Sequence, residues 1–455
     1  MEFTAVNPAT GDTLSTYDDH TPDQVEAIVR RAQEVQESRQ DTDWSERSER
    51  LRALARLLRE RKDEYGALMT AEMGKPIKEA VGEAEKCAWA AEYYADTAEA
   101  ALAPVMVDTD AARSYYAYKP LGVILGIMPW NFPFWQVVRF ATPTLTAGNA
   151  ALLSHSSNVP GCAEALEKLY ADAGFPEGLF ANLFTDNDRT GDLIEHELVR
   201  AVSLTGSVRA GRAVASRAGT ALKKCVLELG GSDPAVILAD ADVGAAVESC
   251  VKGRFLNGGQ SCIAAKRFIV VDAVRAEFEE RLTARLEAMV LGDPTDPGTD
   301  VGPMARVDLR DELHDQVTRS VKAGATLALG GQVPDRPGAW YPVTLLRDVG
   351  PGMPAYGEEL FGPVAAVLPA ADEDEALRIA NDTVFGLGAS VYTADRDRGE
   401  RIARDVLNAG NCFVNGIVRS DPRLPFGGIK DSGYGRELSE LGIREFTNVK
   451  TVWVD

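Results

Sequence analysis

An open α/β architecture of two lobes is predicted, and three observations carry the prediction. From Leu121 onward, short β-rich runs alternate with helical patterns. Those runs are apolar throughout rather than alternating, as in parallel strands buried on both faces. No internal repeat or low-complexity tract interrupts them, and 455 residues suffice for roughly three domains. The first hundred residues read as helical after a short extended start. Thr21-Pro22-Asp23 supplies an N-cap, a first-turn proline and an early acid, and Val25, Ile28, Val29 and Ala32 follow at helical spacing. Trp44 to Met73 is predicted as one amphipathic helix ending near Gly74-Lys75-Pro76, with Leu51, Leu54, Ala55, Leu57 and Leu58 inward and a solvated charged face. Buried strands are predicted at Val123–Met128, Ala150–Leu153, Ala201–Leu204 and Ala235–Leu238. A second α/β region runs from about Gly231 to Lys430. It holds Phe268–Val271, a long helix from near Val274, Val364–Leu368 and Ala389–Tyr392. The tail Thr447–Val454 has strand composition and either closes its own sheet or adds to another subunit.

Composition narrows the function. Apolar residues are 45% and charged residues 26%, an ordinary globular balance. The formal net charge of −21 argues against nucleic-acid or anionic-membrane partners, which need a basic surface. Only 13 residues are Lys, a pattern that fits a salt-adapted host or a GC-rich genome. Neither a signal-peptide pattern nor a stretch of about 18 apolar residues is found. The six cysteines form no C-x-x-C pair and no metal-spaced set with the four histidines, so reduced thiols in a cytoplasm and no metal are expected.

Four segments carry chemistry. The G-x-G-x-x-G fingerprint is absent; instead Gly206-Ser207 follows the strand Ala201–Leu204 and opens a helical pattern. Such a turn places backbone N–H groups where a phosphate can sit, although many strand–helix turns also carry Gly and Ser. Cys262 follows the polar turn Asn257-Gly258-Gly259-Gln260-Ser261 and precedes an apolar stretch. Backbone N–H groups of that turn could stabilise a thiolate and an oxyanion; a structural cysteine would look alike. Glu228 stands inside the apolar run Val226-Leu227-Glu228-Leu229. Burial would raise its pKa toward a general base's range, unless Lys223 or Lys224 satisfies it. Asn131, in Pro129-Trp130-Asn131-Phe132-Pro133, could donate to an oxyanion or merely cap a turn.

Taken together, these segments resemble the aldehyde dehydrogenase superfamily across essentially the whole chain. Glu358-Glu359-Leu360-Phe361-Gly362-Pro363 and Pro425-Phe426-Gly427-Gly428-Ile429-Lys430-Asp431-Ser432-Gly433 complete the motif set in family order. The resemblance implies an aldehyde dehydrogenase-like fold: a dinucleotide-binding domain from 1–100 and 121–230, a catalytic domain from 231–430, and a bridging element from 101–120 and 431–455. That element would pair between subunits in a homodimer or homotetramer. It implies Cys262 as nucleophile, Asn131 as oxyanion donor and Glu228 as the base that releases the acid. Glu228 also argues against coenzyme-A-acylating relatives. Trp130, Gly206, Ser207, Leu229, Glu359 and Phe361 match dinucleotide-binding positions.

One departure bears on the cofactor. Ser154 stands where most of the family has a Lys that contacts the adenosine ribose, and Ser157 where strict NAD enzymes have an acid that excludes NADP. The two changes oppose one another; NAD is expected narrowly, NADP is possible, and dinucleotide affinity should be weak. Trp130–Arg139, Ser154-His155 and Asn415–Pro422 look most like succinate-semialdehyde dehydrogenases of the short bacterial and archaeal type. By that resemblance Arg139 and Arg267 grip the substrate carboxylate, with Ser420 near a third contact. A dehydrogenase of neutral aliphatic or aromatic aldehydes is the alternative, and a catalytically silent relative a remoter one.

Overall fold

The structure, a computed structural model, describes residues 2–39 and 42–455. Two sheets dominate it. In the first, six strands run in the order Gly433–Tyr434, Lys224–Glu228, Val199–Thr205, Val123–Met128, Ala150–His155 and Phe180–Asn182. All pairs are parallel except the two-residue Gly433–Tyr434, which runs antiparallel to Lys224–Glu228. In the second, seven strands run in the order Thr326–Leu329, Thr344–Arg347, Val364–Ala370, Ala265–Val271, Asp233–Ile237, Gly388–Tyr392 and Asn411–Val414. Only the first pair there is antiparallel. Each sheet is buried between helices, which is why its strands are continuously apolar.

The chain crosses from one sheet to the other between Glu228 and Asp233, through Gly230-Gly231. Strands of the first sheet therefore end beside the start of the second, and a cleft opens between them at the strand ends. Ligands of open α/β sheets bind at such places. A third, antiparallel sheet of three strands pairs Thr447–Val454 with Arg113–Pro120 and that strand with Val105–Val107. The tail closes onto its own chain, while Gly433–Tyr434 leaves the C-terminal segment to join the first sheet.

The N-terminal region is helical, with two refinements. Thr21 and Gln24 form a reciprocal cap, Thr21 Oγ1 accepting from Gln24 N at 3.3 Å and Gln24 Oε1 from Thr21 N at 2.7 Å. The single helix expected over Trp44–Met73 is two, Trp44–Glu60 and Lys62–Met73, jointed at Arg61. Arg61 has left helical geometry, with φ −108° and ψ 14°, and its guanidinium reaches Asp172 at 2.6 Å. A long-range ion pair invisible to local periodicity marks this joint. A 25-residue helix, Ile77–Ala101, then packs against both. Among the described residues no helix is long and apolar enough to cross a membrane.

Candidate active site

The cleft between the two sheets is about 390 Å³, lined by Trp130, Asn131, Glu228, Cys262, Glu359 and Phe361 among others. Residues some 230 positions apart in the chain thus share one wall. Cys262 sits on a tight turn: Asn257, Gly258 and Gly259 all have positive φ, of 56°, 60° and 76°. A Cβ on Gly259 would lie 2.3 Å from the Gly362 carbonyl oxygen, so only glycine serves there. Arg254, fully buried, staples the turn to the opposite loop by donating to the carbonyls of Gly259, Leu360, Gly362 and Val364 at 2.6–3.2 Å. The Asn131 side-chain amide donates to the Gln260 carbonyl at 3.1 Å, and Asn257 Nδ2 donates to the Asn131 carbonyl at 2.7 Å. Asn131 and the turn that carries Cys262 are therefore one hydrogen-bonded unit, and an amide nitrogen has a second N–H that this bond does not use.

Burial pushes the Cys262 thiol up to about 11, with Lys266 the largest opposing influence and Arg139 the next. Lys266, itself buried, donates to the carbonyls of Ser261 and Cys262 at 2.8 and 2.6 Å and pairs with Glu359 at 3.0 Å. Its role was not expected; a Lys at the second position of a strand, here Ala265–Val271, offers no local signal of what it faces. Glu228 is buried, and neither of its side-chain oxygens has a hydrogen-bond partner among the described residues. Lys223 and Lys224 do not satisfy it: one donates to the His196 carbonyl, the other pairs with Glu445. Burial first, then the Glu437 carboxylate, hold Glu228 well above the usual carboxylate range, opposed by Arg139 and Arg436.

The residues expected to hold a dinucleotide lie along the same face. Ser207 caps helix Val208–Thr220 by accepting from Ala210 N at 3.2 Å, and the Gly206 N–H donates to the Glu228 carbonyl at 2.9 Å. Leu229 packs on Gly211 of that helix. Trp130 and Phe361 meet across the cleft edge to face, their centroids 5.8 Å apart. Glu359 accepts from the Gly231 N–H at 3.0 Å, and a Cβ on Gly230 would lie 2.4 Å from its carboxylate. A second cavity of about 330 Å³ opens between Ile194, Leu204 and Val214, with Thr190, Arg209 and Arg217 on its wall. Its apolar walls and flanking guanidinium groups fit a flat base joined to phosphates. Ser154 is buried behind it, its hydroxyl 3.0 Å from Thr190 Oγ1, whereas Ser157 is exposed in the following loop.

The predicted carboxylate clamp is not assembled as expected. Arg267 is 0% exposed and donates once from each of its three nitrogens, to the carbonyls of Ser232, Ile379 and Ala380 at 2.9–3.0 Å. It braces the second sheet from inside the core, and its burial places it behind those carbonyls and off the wall of the cleft. Arg139 is buried too, ion-paired with Glu437 and stacked 4.9 Å from the Phe426 ring centre. Ser420 is buried and accepts a hydrogen bond from Lys86 at 2.7 Å.

Residues 1–452 match the aldehyde dehydrogenase family, and the chain belongs to that family. It is an enzyme that oxidises an aldehyde to a carboxylic acid with a nicotinamide dinucleotide. Among its relatives, a probable succinate-semialdehyde dehydrogenase (NADP+) of Synechocystis is 49% identical over 454 residues, covering 100% of both chains. A succinate semialdehyde dehydrogenase (NAD(P)+) of Escherichia coli is 46% identical, covering 99% of this chain and 97% of its own. Among solved structures, the succinic semialdehyde dehydrogenase of Streptococcus pyogenes in complex with NADP+ superposes with a TM-score of 0.97 at 37% identity, over 99% of each chain.

Proposed function

We propose that this chain oxidises succinate semialdehyde to succinate, with NADP favoured over NAD. The observation that carries the substrate is the full-length identity of 46–49% to relatives that bear this activity in their names. Cys262 attacks the aldehyde carbon once its proton has left, and the new C–S bond puts the carbonyl electrons on oxygen. Asn131 donates to that oxyanion from its free N–H. Trp130, Glu359 and Phe361 would hold a nicotinamide, which when bound would supply the acceptor for the aldehyde hydride. Collapse of the thiohemiacetal leaves a thioester on Cys262. Glu228 then takes a proton from water, the hydroxide adds to the thioester carbon, and the acid departs as the sulfur is released.

The NADP preference reverses the narrow expectation of NAD. The relatives' names support it, and so does Ser157: an exposed hydroxyl there carries no charge to repel a 2′-phosphate. Ser157→Glu should raise the KM for NADP at least tenfold with little change for NAD; equal effects on both would remove that role.

A homodimer or homotetramer is proposed, formed through the three-stranded sheet, whose edge strand Thr447–Val454 leaves Val449 and Trp453 exposed. Six free thiols support action in a reducing cytoplasm.

The deciding experiment compares kcat/KM for succinate semialdehyde and butanal with saturating NADP, followed by reduced-nicotinamide absorbance. A preference of about a hundredfold for the semialdehyde, about 2.7 kcal/mol in transition-state binding, is expected. Equal values would assign the chain to neutral aldehydes instead.

A further inference from the structure

Lys266 is a buried cation to which the steps above give no part, and the backbone is shaped around it. Strand Ala265–Val271 pairs with Asp233–Ile237, with Asp233 opposite Ala265 and Pro234 opposite Arg267. Lys266 therefore has no residue opposite it and sits in a bulge of the ladder. The register slips at Pro234, which has no N–H to give to a regular ladder. A bulge re-aims the side chain it carries, and this one brings Lys266 to the turn that holds Cys262.

Its ammonium has three donors and meets three acceptors: the carbonyls of Ser261 and Cys262 at 2.8 and 2.6 Å, and Glu359 Oε1 at 3.0 Å. Glu359 Oε1 also accepts the Gly231 N–H at 3.0 Å. Both anchors fall on one oxygen, so Glu359 is fixed on the cleft wall while its Oε2 takes no hydrogen bond among the described residues. Lys266 is 1% exposed and acts from behind that wall. An ammonium so deep is tolerated because a carboxylate and two carbonyls replace its water. Asp233, another acid that feels this charge, is held by the Gly388 N–H at 3.0 Å. Burial is the largest influence on the Cys262 thiol; Lys266 is the first to oppose it, and Glu359 adds to it. One cation thus touches the nucleophile's turn and an acid of the cleft together.

We propose that Lys266 is a positioning residue with two targets: its ammonium fixes Glu359 with one oxygen left for the dinucleotide, and it holds the Cys262 turn where the same charge favours the thiolate. This rests on the reading above that Glu359 helps to hold the nicotinamide half of the dinucleotide. Lys266 reaches the dinucleotide only through Glu359, whereas it reaches Cys262 directly through the carbonyl bond and its charge. The two targets are therefore separable by experiment.

Two quantities are read in the unmodified enzyme, Lys266→Met, Glu359→Gln and the double variant. One is the Kd for NADP by fluorescence titration. The other is the rate of Cys262 alkylation by iodoacetamide without dinucleotide, followed by the mass of the Cys262 peptide. Lys266→Met should weaken NADP binding about tenfold, and less than about twofold when Glu359→Gln is already present, since the carboxylate it fixes is then gone. Alkylation should slow about tenfold in Lys266→Met and quicken in Glu359→Gln, because the two charges act on the thiol with opposite signs. A purely structural defect would move both variants the same way and would weaken NADP binding equally in either background; either result overturns the proposal. Unchanged NADP binding in Lys266→Met, with Glu359→Gln impaired, overturns it as well and leaves the Glu359 reading standing. If Glu359→Gln binds NADP as the unmodified enzyme does, that reading fails and the proposal with it. Should Lys266→Met not fold, Lys266→Gln keeps a neutral donor for the two carbonyls, and its values decide in the same way.

Discussion

Burial disfavours the charged form of both Cys262 and Glu228, for the same reason: each lies in a cleft where an added charge is poorly solvated. The raised values mean that each group gains its reactive, deprotonated form as pH rises. Below a thiol pKa of about 11, thiolate grows about tenfold per pH unit, so the rate of Cys262 alkylation by iodoacetamide in the free enzyme should climb accordingly from neutral pH to about 9. A flat profile would mean that Lys266 already holds a thiolate. Cys262→Ala should abolish turnover and leave dinucleotide binding intact, as read by fluorescence titration. Glu228→Gln should release one equivalent of reduced nicotinamide and then stall; an undiminished steady-state rate in that variant would end the general-base role. Glu437 and Arg436 lay outside the sequence reading, yet they help to set the Glu228 pKa from a segment some 209 positions away. No local pattern reports such a neighbour.

Helix Ile77–Ala101 does more for the site than any other single element outside the two sheets. Glu79, Glu83 and Lys86 recur at helical spacing on one face. Glu79 accepts the Asn257 N–H at 2.7 Å behind the turn that carries Cys262, and burial pushes its carboxyl up to about 7. Glu83 supplies the acceptor that helix Trp135–Thr146 lacks, since its N-cap, Phe134, has no side chain able to take a hydrogen bond. In a sequence this charged stripe is indistinguishable from a solvated face, the reading given to the charges of Trp44–Met73, where Glu72 likewise proves to be buried, accepting the N–H groups of Gly161 and Cys162 at 2.8 and 3.0 Å. Glu83→Ala should leave Lys75, 1% exposed, without its partner and uncap the neighbouring helix. The cost should be about 3–5 kcal/mol, seen as a lower midpoint in urea or on heating. A midpoint equal to that of the unmodified protein would show that water or another acid compensates.

At the scale of the whole molecule, charge is the dominant feature. A net −21 repels itself, and most of the ion pairs that offset it are exposed and individually worth little. Raising salt from about 0.1 M to about 1 M shortens the screening length from about 10 Å to about 3 Å. The thermal midpoint should therefore rise by a few degrees with sodium chloride; a fall would mean that the surface pairs outweigh the net repulsion.

The two-lobed architecture was legible in the sequence, because strands buried on both faces must be apolar, and the short turns that the sequence singled out around Asn131, Glu228 and Cys262 line one cleft. The sequence likewise marked Trp130, Ser207, Glu359 and Phe361, each held in a motif of a few residues. What only the tertiary structure decided was where the charges go. On paper Arg267 is a plausible carboxylate ligand. It donates instead to carbonyls 112 and 113 positions away, while Lys86 meets a serine 334 positions away. A buried charge must be satisfied by whatever the fold brings to it, and those partners are set by the packing of distant elements, not by the residues beside it in the chain.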